Sequence, residues 1–291
     1  MKRTLVVGVD GSPESRAAAD WAAREAERRN LHVHVVHAWR WQPLAVPVVQ
    51  DRAVEASRAQ EILEETEAGL TRRHPRLALT AEVVPDVPVP ALLRAAKEAE
   101  MLVLGSRGFG AVAGFLLGSY GQQLIAAAEC PVVSVRAGQD GPLSAADGGA
   151  VVVGQQGGVE ESAEVLRFAF EEAAARRVAL RAVRAWSLPP VYGCSPGSLW
   201  IADRLGGLQP YETAALEQAL EPWRSRYPEV EVVAQVKQGS AGHALLSAAQ
   251  DAGLLVVGRR VRDAVLGSRI GSVAHAVLHH AVCPVAVVPH R

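Results

Sequence analysis

A chain of 291 residues, 49% of them apolar, has room for two domains that each bury a core of their own. The formal charge of −1 and the scarcity of lysine (Lys2, Lys97 and Lys237) argue against nucleic-acid binding, which calls for a basic patch. No apolar run is long enough to cross a bilayer, the chain enters a strand pattern at Thr4 with no leader before it, and Cys130, Cys194 and Cys283 show no CxxC or zinc spacing, as expected of reduced thiols in a cytoplasm.

In chain order, Thr4 to Asp10 reads as a strand that ends in the turn Gly11-Ser12-Pro13, followed by a helix from about Ser15 to Arg29. Leu31 to Trp39 is a second strand. A loop with Trp41, Pro43 and Pro47 leads into a long polar helix, about Arg52 to Arg73. Leu77 to Val84 is a third strand and Pro90 to Glu98 a short helix. The apolar run Met101-Leu102-Val103-Leu104 reads as a buried parallel strand. A glycine-rich stretch, Gly105 to Ser119, then joins that strand to a helix that includes Gln122 to Ala128, and Val132 to Val135 is the last strand. Strands alternating with helices define an α/β chain with a parallel sheet.

Residues 138 to 149, rich in Gly, Pro, Ser and Asp, break the pattern and read as a linker between domains at 1–137 and 150–291. The first pattern then returns. Val151 to Gly154 repeats Leu5 to Gly8, Phe168-Ala169 repeats Trp21-Ala22, and Ala185-Trp186 repeats Ala38-Trp39. Leu255 to Gly258 repeats Leu102 to Gly105, Gly271-Ser272 repeats Gly118-Ser119, and Cys283-Pro284 repeats Cys130-Pro131, all at one offset of 153 residues. Three separated pairs at a single offset mark a tandem duplication.

The glycine stretch carries the chemistry. Glycines let a ligand approach the backbone closely. The first amides of a helix lack partners and carry partial positive charge, a place that suits phosphate. The expectation is that this loop holds the phosphates of a nucleotide.

The spacing resembles the universal stress protein family, whose nucleotide signature is glycine, two residues, glycine, nine residues, glycine, then Ser or Thr. Gly105, Gly108, Gly118 and Ser119 fit it in full, and Asp10 in VVGVDGSP and the Cys-Pro before the final strand match as well. The resemblance spans both halves. It implies two tandem open parallel five-stranded sheets, strand order 3-2-1-4-5, with helices on both faces, and ATP binding with Mg²⁺. In that order strands one and four are neighbours whose crossovers diverge, so Asp10 and Gly105 should meet at the switch point. The roles implied are these: Gly8 and Gly11 keep the first turn open, and Asp10 accepts from ribose or adenine. Ala38 offers backbone to adenine, and Gly105, Ser106, Arg107, Gly108 and Gly110 wrap ribose and phosphates. Gly118 and Ser119 bind the outer phosphates.

The second half departs from the signature. Gln156 stands for Asp10, Val261 for Gly108, and Arg259 and Arg260 for Ser106 and Arg107, while Gly154, Gly258, Gly271 and Ser272 remain. A β-branched residue resists positive φ. The expectation is a nucleotide in the first half and weak, different or no binding in the second.

Several residues carry a second reading. Ser119 with Gln122 forms S-x-x-Q, a capping-box pattern. Asp10 reads also as a cap for the helix after Pro13, and Arg107 as a solvated loop charge. The glycines also suit tight turns. His275 and His279 lie four apart, but no Glu or Cys completes a metal set. His32 and His34 read as strand packing, Cys130 and Cys283 as core, Trp39 and Trp186 as cover for the sheet edges, and Trp41 and Trp200 as lid or partner contacts.

Among functions, a regulatory nucleotide-binding protein of the stress response, with slow or no hydrolysis, competes with an ATPase or adenylate-transferring ligase, and with a scaffold whose sites are vestigial. No Gly-Lys pair exists for a P-loop, no HxGH or SGGxDS occurs, and the loop itself holds no general base. Pairing of the two halves through Val132–Val135 and Val285–Val288 would remove edge strands, and homodimerisation is a further implication of the resemblance.

Overall fold

The computed structural model describes residues 3–39, 52–106, 118–137, 148–187, 208–261 and 270–291. Two compact units emerge, one containing Met1–Ser144 and the other containing Ala145–Asp263 and Gly271–Arg291.

In the first unit β1 (Thr4–Gly8), β2 (His32–Ala38), β3 (Leu79–Val84), β4 (Met101–Ser106) and β5 (Val132–Arg136) form a parallel sheet ordered β3-β2-β1-β4-β5. Between them run α1 (Pro13–Arg29), α2 (Arg52–Arg73), α3 (Pro88–Ala96) and α4 (Ser119–Ala127). α1 packs with α2, and α3 with α4. Right-handed crossovers place those pairs on opposite faces of the sheet. That is why Leu5, Val6 and Val7 are all fully buried although they alternate in direction: both faces of a parallel sheet are covered.

The second unit repeats this design with β6 (Val151–Gly154), α5 (Val159–Arg176), β7 (Leu180–Trp186), α6 (Gln209–Arg226), β8 (Val232–Gln238), α7 (Ala241–Ala248), β9 (Leu254–Arg260), α8 (Ser272–His280) and β10 (Val285–His290). Its strands run β8-β7-β6-β9-β10, the same 3-2-1-4-5 order. Both units are the open α/β sheets that the repeat implied.

Some boundaries differ from expectation. α1 starts at Pro13 because proline suits the first helical position, and α3 starts at Pro88 for the same reason. Asn30 ends α1 in the left-handed region at φ 51, where its amide reaches the Ala26 carbonyl; asparagine tolerates that conformation better than most residues. Each first helix also buries a glutamate that the pattern did not single out. Glu25 is held 3.2 Å from Arg28, and Glu172 lies 3.2 Å from Arg176. Among the described residues no helix is long and apolar enough to cross a membrane.

Candidate functional site

In the first unit the register sets Gly8 of β1 opposite Leu104 of β4. The turn after β1 and the end of β4 therefore leave the sheet side by side, where strand order reverses. Open α/β sheets form a crevice at such a point.

Asp10 is the centre of a small polar cluster. Its Oδ1 accepts from the Ser12 amide at 3.0 Å and from the Ser12 hydroxyl at 2.5 Å. The Ser12 oxygen accepts from the Ser15 amide at 3.1 Å, and so caps α1. The helix cap is thus Ser12, with Asp10 orienting it from behind, which corrects the reading of Asp10 as the cap. The Asp10 amide donates to Ser15 Oγ at 3.3 Å. Gly11 makes the turn possible with φ +78, a conformation that L side chains rarely adopt. Asp10 remains exposed, and hydrogen bonds from Ser12 and Ser15 hold its carboxylate.

His37, on β2, is buried and its Nδ1 donates to the Val9 carbonyl at 2.7 Å. It was not singled out in the sequence. Partial burial alone would raise the Asp10 carboxyl, but hydrogen bonds from Ser12 and Ser15 and the nearby His37 outweigh it and hold the carboxyl below its ordinary 3.8. A carboxyl lowered by folding stabilises the native state above its unfolded value, and that contribution is lost as pH falls through the folded one. Urea titrations of wild type and Asp10→Asn should therefore differ by a constant amount above pH 5 and converge below 3.8. A difference that grows towards acid would contradict the placement.

The remaining glycines have packing reasons. A Cβ on Gly8 would lie 3.1 Å from Leu92 of α3, and one on Gly105 would lie 2.5 Å from the Glu14 carbonyl carbon, inside the first turn of α1. Ser106 is buried and its hydroxyl donates to the Val135 carbonyl at 3.2 Å, so it serves the sheet. Ala38 ends β2, opposite Val84. Arg107, Gly108 and Gly110 lie outside the described residues, as do Trp41, Trp200 and Cys194.

Gly118, not Ser119, is the N-cap of α4, with φ −54 and ψ 154, and the Gln122 amide bonds its carbonyl at 3.2 Å. Ser119 is the first helical residue, exposed, and makes no cap, so the capping-box reading does not hold. Among the described residues no side chain caps the first amides of α4, and none lies within 4 Å of where a Gly118 Cβ would be.

Beside Asp10 and Gly11 lies a cavity of about 630 Å³, walled by Arg16 of α1 and by Ser57, Arg58 and Ile62 of α2. Gly105, Ser106, Gly118 and Ser119 do not line it. Arg16 and Arg58 have no recognisable local motif, and only the packing of α1 on α2 brings them to Asp10.

The second unit gathers its counterparts more closely. Gly154, Gly258, Arg259, Arg260, Gly271 and Ser272 all line one cavity of about 640 Å³. Gly157, at φ +81, repeats the turn of Gly11. Buried Gln155 accepts from Arg184 at 2.6 Å, and Arg184, the counterpart of His37, also donates to the Gly157 carbonyl at 3.0 Å and to Glu212. Val261 does not take positive φ, and its amide bonds the His290 carbonyl at 2.7 Å.

The other candidates are structural. His32 and His34 both bond the Thr80 hydroxyl at 3.0 Å, across β2 and β3, rather than merely packing. The His275 and His279 rings lie 4.2 Å apart, tilted by 37°, and among the described residues no group of metal-ligating side chains forms. Cys130 and Cys283 are buried and form no disulfide among the described residues, and burial pushes the Cys130 thiol up to about 11, which keeps it unreactive. Trp39 and Trp186 are partly covered at the strand ends.

Fold and site define a tandem, doubly wound α/β protein with a cavity beside the first turn of each unit. The model of the universal stress protein family matches residues 1–136 and 150–289, so the chain belongs to that family, twice over. A universal stress protein of Mycobacterium tuberculosis (strain H37Rv) is 36% identical over 296 residues, covering 97% of this chain and 96% of its own length. A second from the same organism is 34% identical over 304 residues, covering 97% and 94%. Among solved structures, a universal stress protein from Archaeoglobus fulgidus shares the fold with a TM-score of 0.70 at 16% identity, over 98% of both chains.

Proposed function

We propose that the first unit binds an adenine nucleotide, ATP with Mg²⁺, and that the chain is a regulatory nucleotide-binding protein of the stress response that hydrolyses ATP slowly or not at all. The observation that carries this reading is Asp10, an exposed carboxylate pinned by Ser12 at the edge of a cavity of about 630 Å³. A ribose or adenine donor would find a charged acceptor there. Arg16 and Arg58 supply positive charge in the same cavity. The first amides of α4, capped by no side chain among the described residues, suit the outer phosphates. Mg²⁺ would be held by phosphate oxygens and water and would neutralise their charge. Slow turnover follows from the site's content. Asp10 is committed to Ser12 and to the ligand, and His37 is buried against Val9, so neither is placed to activate water.

Calorimetric titration of the full chain with Mg-ATP tests the reading. One site per chain is expected, weakened at least about tenfold in Asp10→Ala, as loss of a charge-assisted hydrogen bond predicts. Two equal sites, or no heat together with no adenine nucleotide released on denaturing the purified protein, would overturn it. Steady turnover of several ATP per minute would make it an enzyme instead.

A further inference from the structure

The sheet of the second unit ends on one side at β8, which among the described residues has a single neighbour, β7. Its backbone groups divide by parity. The Leu180 amide bonds the Glu231 carbonyl at 2.8 Å, and the Gly239 amide bonds the Trp186 carbonyl at 2.8 Å. Leu180 is aligned with Val232 and Trp186 with Gln238. In a parallel ladder of that register the odd-numbered residues turn their amides and carbonyls towards β7. Val232, Ala234, Val236 and Gln238 therefore turn theirs outward, a row of donors and acceptors that suits another strand.

The side chains divide in the same way. Arg184, aligned with Val236, reaches Glu212 of α6, and Arg181, aligned with Val233, reaches the Ala248 carbonyl of α7. Val232, Ala234 and Val236 thus lie on the α6 side, and Glu231, Val233, Gln235 and Lys237 share the other face. On that face Glu231 and Lys237 are exposed, and Val233 is 39% exposed. Neither charge has an ion-pair partner among the described residues. They stand six positions apart, about 20 Å along a strand, so they cannot pair within one chain. The end strand of the first unit differs: the one charge of β3, Glu82, lies 3.5 Å from His34 of its own sheet.

Antiparallel pairing of β8 with another β8 about Ala234 satisfies backbone and charge together. Ala234 then stands opposite Ala234, and Val232 opposite Val236. These are the outward residues, so they exchange the hydrogen bonds. Val233 meets Gln235, and Glu231 meets Lys237 at both ends, in the non-hydrogen-bonded positions where side chains come closest. A lysine on an edge strand ordinarily discourages pairing. In this register the same strand carries the acid that answers it.

We propose that the β8 edge is a docking surface for a second copy of this chain, which adds its own β8 antiparallel, centred on Ala234 and closed by two Glu231–Lys237 pairs. The inference does not rest on nucleotide binding by either unit. One pair of strands buries less than a tight dimer needs, so the association is weak and grows with concentration.

Sedimentation velocity of the full chain at low salt, over a series of concentrations, is the test. Wild type should pass from monomer to dimer. Lys237→Glu sets like charges against each other at both ends and should weaken the dimer about tenfold, as should Glu231→Lys. An equimolar mixture of the two variants again sets opposite charges together at both ends and should recover the wild-type association. Both residues are exposed, and unchanged melting temperatures would show the variants folded. Amide hydrogen exchange gives a second readout, with Val232, Ala234 and Val236 slowed in the dimer. A wild type that stays monomeric throughout would overturn the proposal. So would reversals that leave association unchanged, a mixture no tighter than either variant alone, or a dimer in which those three amides exchange as in the monomer.

Discussion

Gly105→Ala is expected to destabilise the protein by about 1–3 kcal/mol, enough to lower its melting temperature by several degrees. The new Cβ would stand 2.5 Å from the Glu14 carbonyl carbon, 2.6 Å from its oxygen and 2.7 Å from the Ser15 amide nitrogen. These are backbone atoms in the first turn of α1, and they cannot yield by changing a rotamer. The helix end must lift from β4. The lift would disturb the cap at Ser12 and, through it, the oxygen that Asp10 presents. Nucleotide affinity should therefore fall together with stability.

Gly258→Ala is the internal control. Its Cβ would meet the His290 ring at 2.8 Å and Val165 at 3.1 Å, both side chains, and the first sits on the penultimate residue. That substitution should cost less than about 1 kcal/mol, since the ring can swing away. Chemical denaturation of the two variants, monitored by circular dichroism, gives the comparison. Equal costs, or a larger cost at Gly258, would mean that α1 does not press on β4 as described.

Much of the fold was legible because its strands are buried on both faces. Such strands read as unbroken apolar runs, as at Leu5–Val7 and Leu102–Leu104, and the duplicated runs confirmed one another. The strand order came from the family resemblance, and the sheet of each unit has it.

The site was less legible, for two physical reasons. Cap positions are decided by backbone angles that a motif does not fix. S-x-x-Q pointed to Ser119, yet the extended ψ of 154 falls on Gly118, and Ser12 rather than Asp10 closes α1. The other reason is distance along the chain. His37 acts on Val9, Arg184 on Gln155 and Gly157, Arg260 on Glu161, and Arg58 joins Asp10, each pairing a product of packing between elements. The position where Asp10 became Gln156 does flag the second crevice as altered. Only the geometry shows Arg184 bound there to Gln155, the Gly157 carbonyl and Glu212.

Gly118→Val should abolish most nucleotide binding, a loss of at least about tenfold, while leaving the fold nearly untouched. The residue sits at φ −54 and ψ 154, extended backbone that a β-branched side chain accepts, and its Cβ would meet none of the described residues within 4 Å. The stability cost should be no more than about 1 kcal/mol, the usual scale for a helix N-cap. The two methyl groups would instead project beside the exposed first amides of α4, where the outer phosphates are proposed to lie. Gly271 repeats this geometry at φ −64 and ψ 156, with no described residue within 4 Å of its Cβ position, so Gly271→Val should cost the same stability. It should leave Mg-ATP binding intact, because α8 belongs to the other unit. Two substitutions of identical chemistry, with matched melting curves and different ligand effects, separate a phosphate cradle from a helix start that merely needs glycine. If Mg-ATP affinity in Gly118→Val equals that of wild type, the phosphates do not lie at α4.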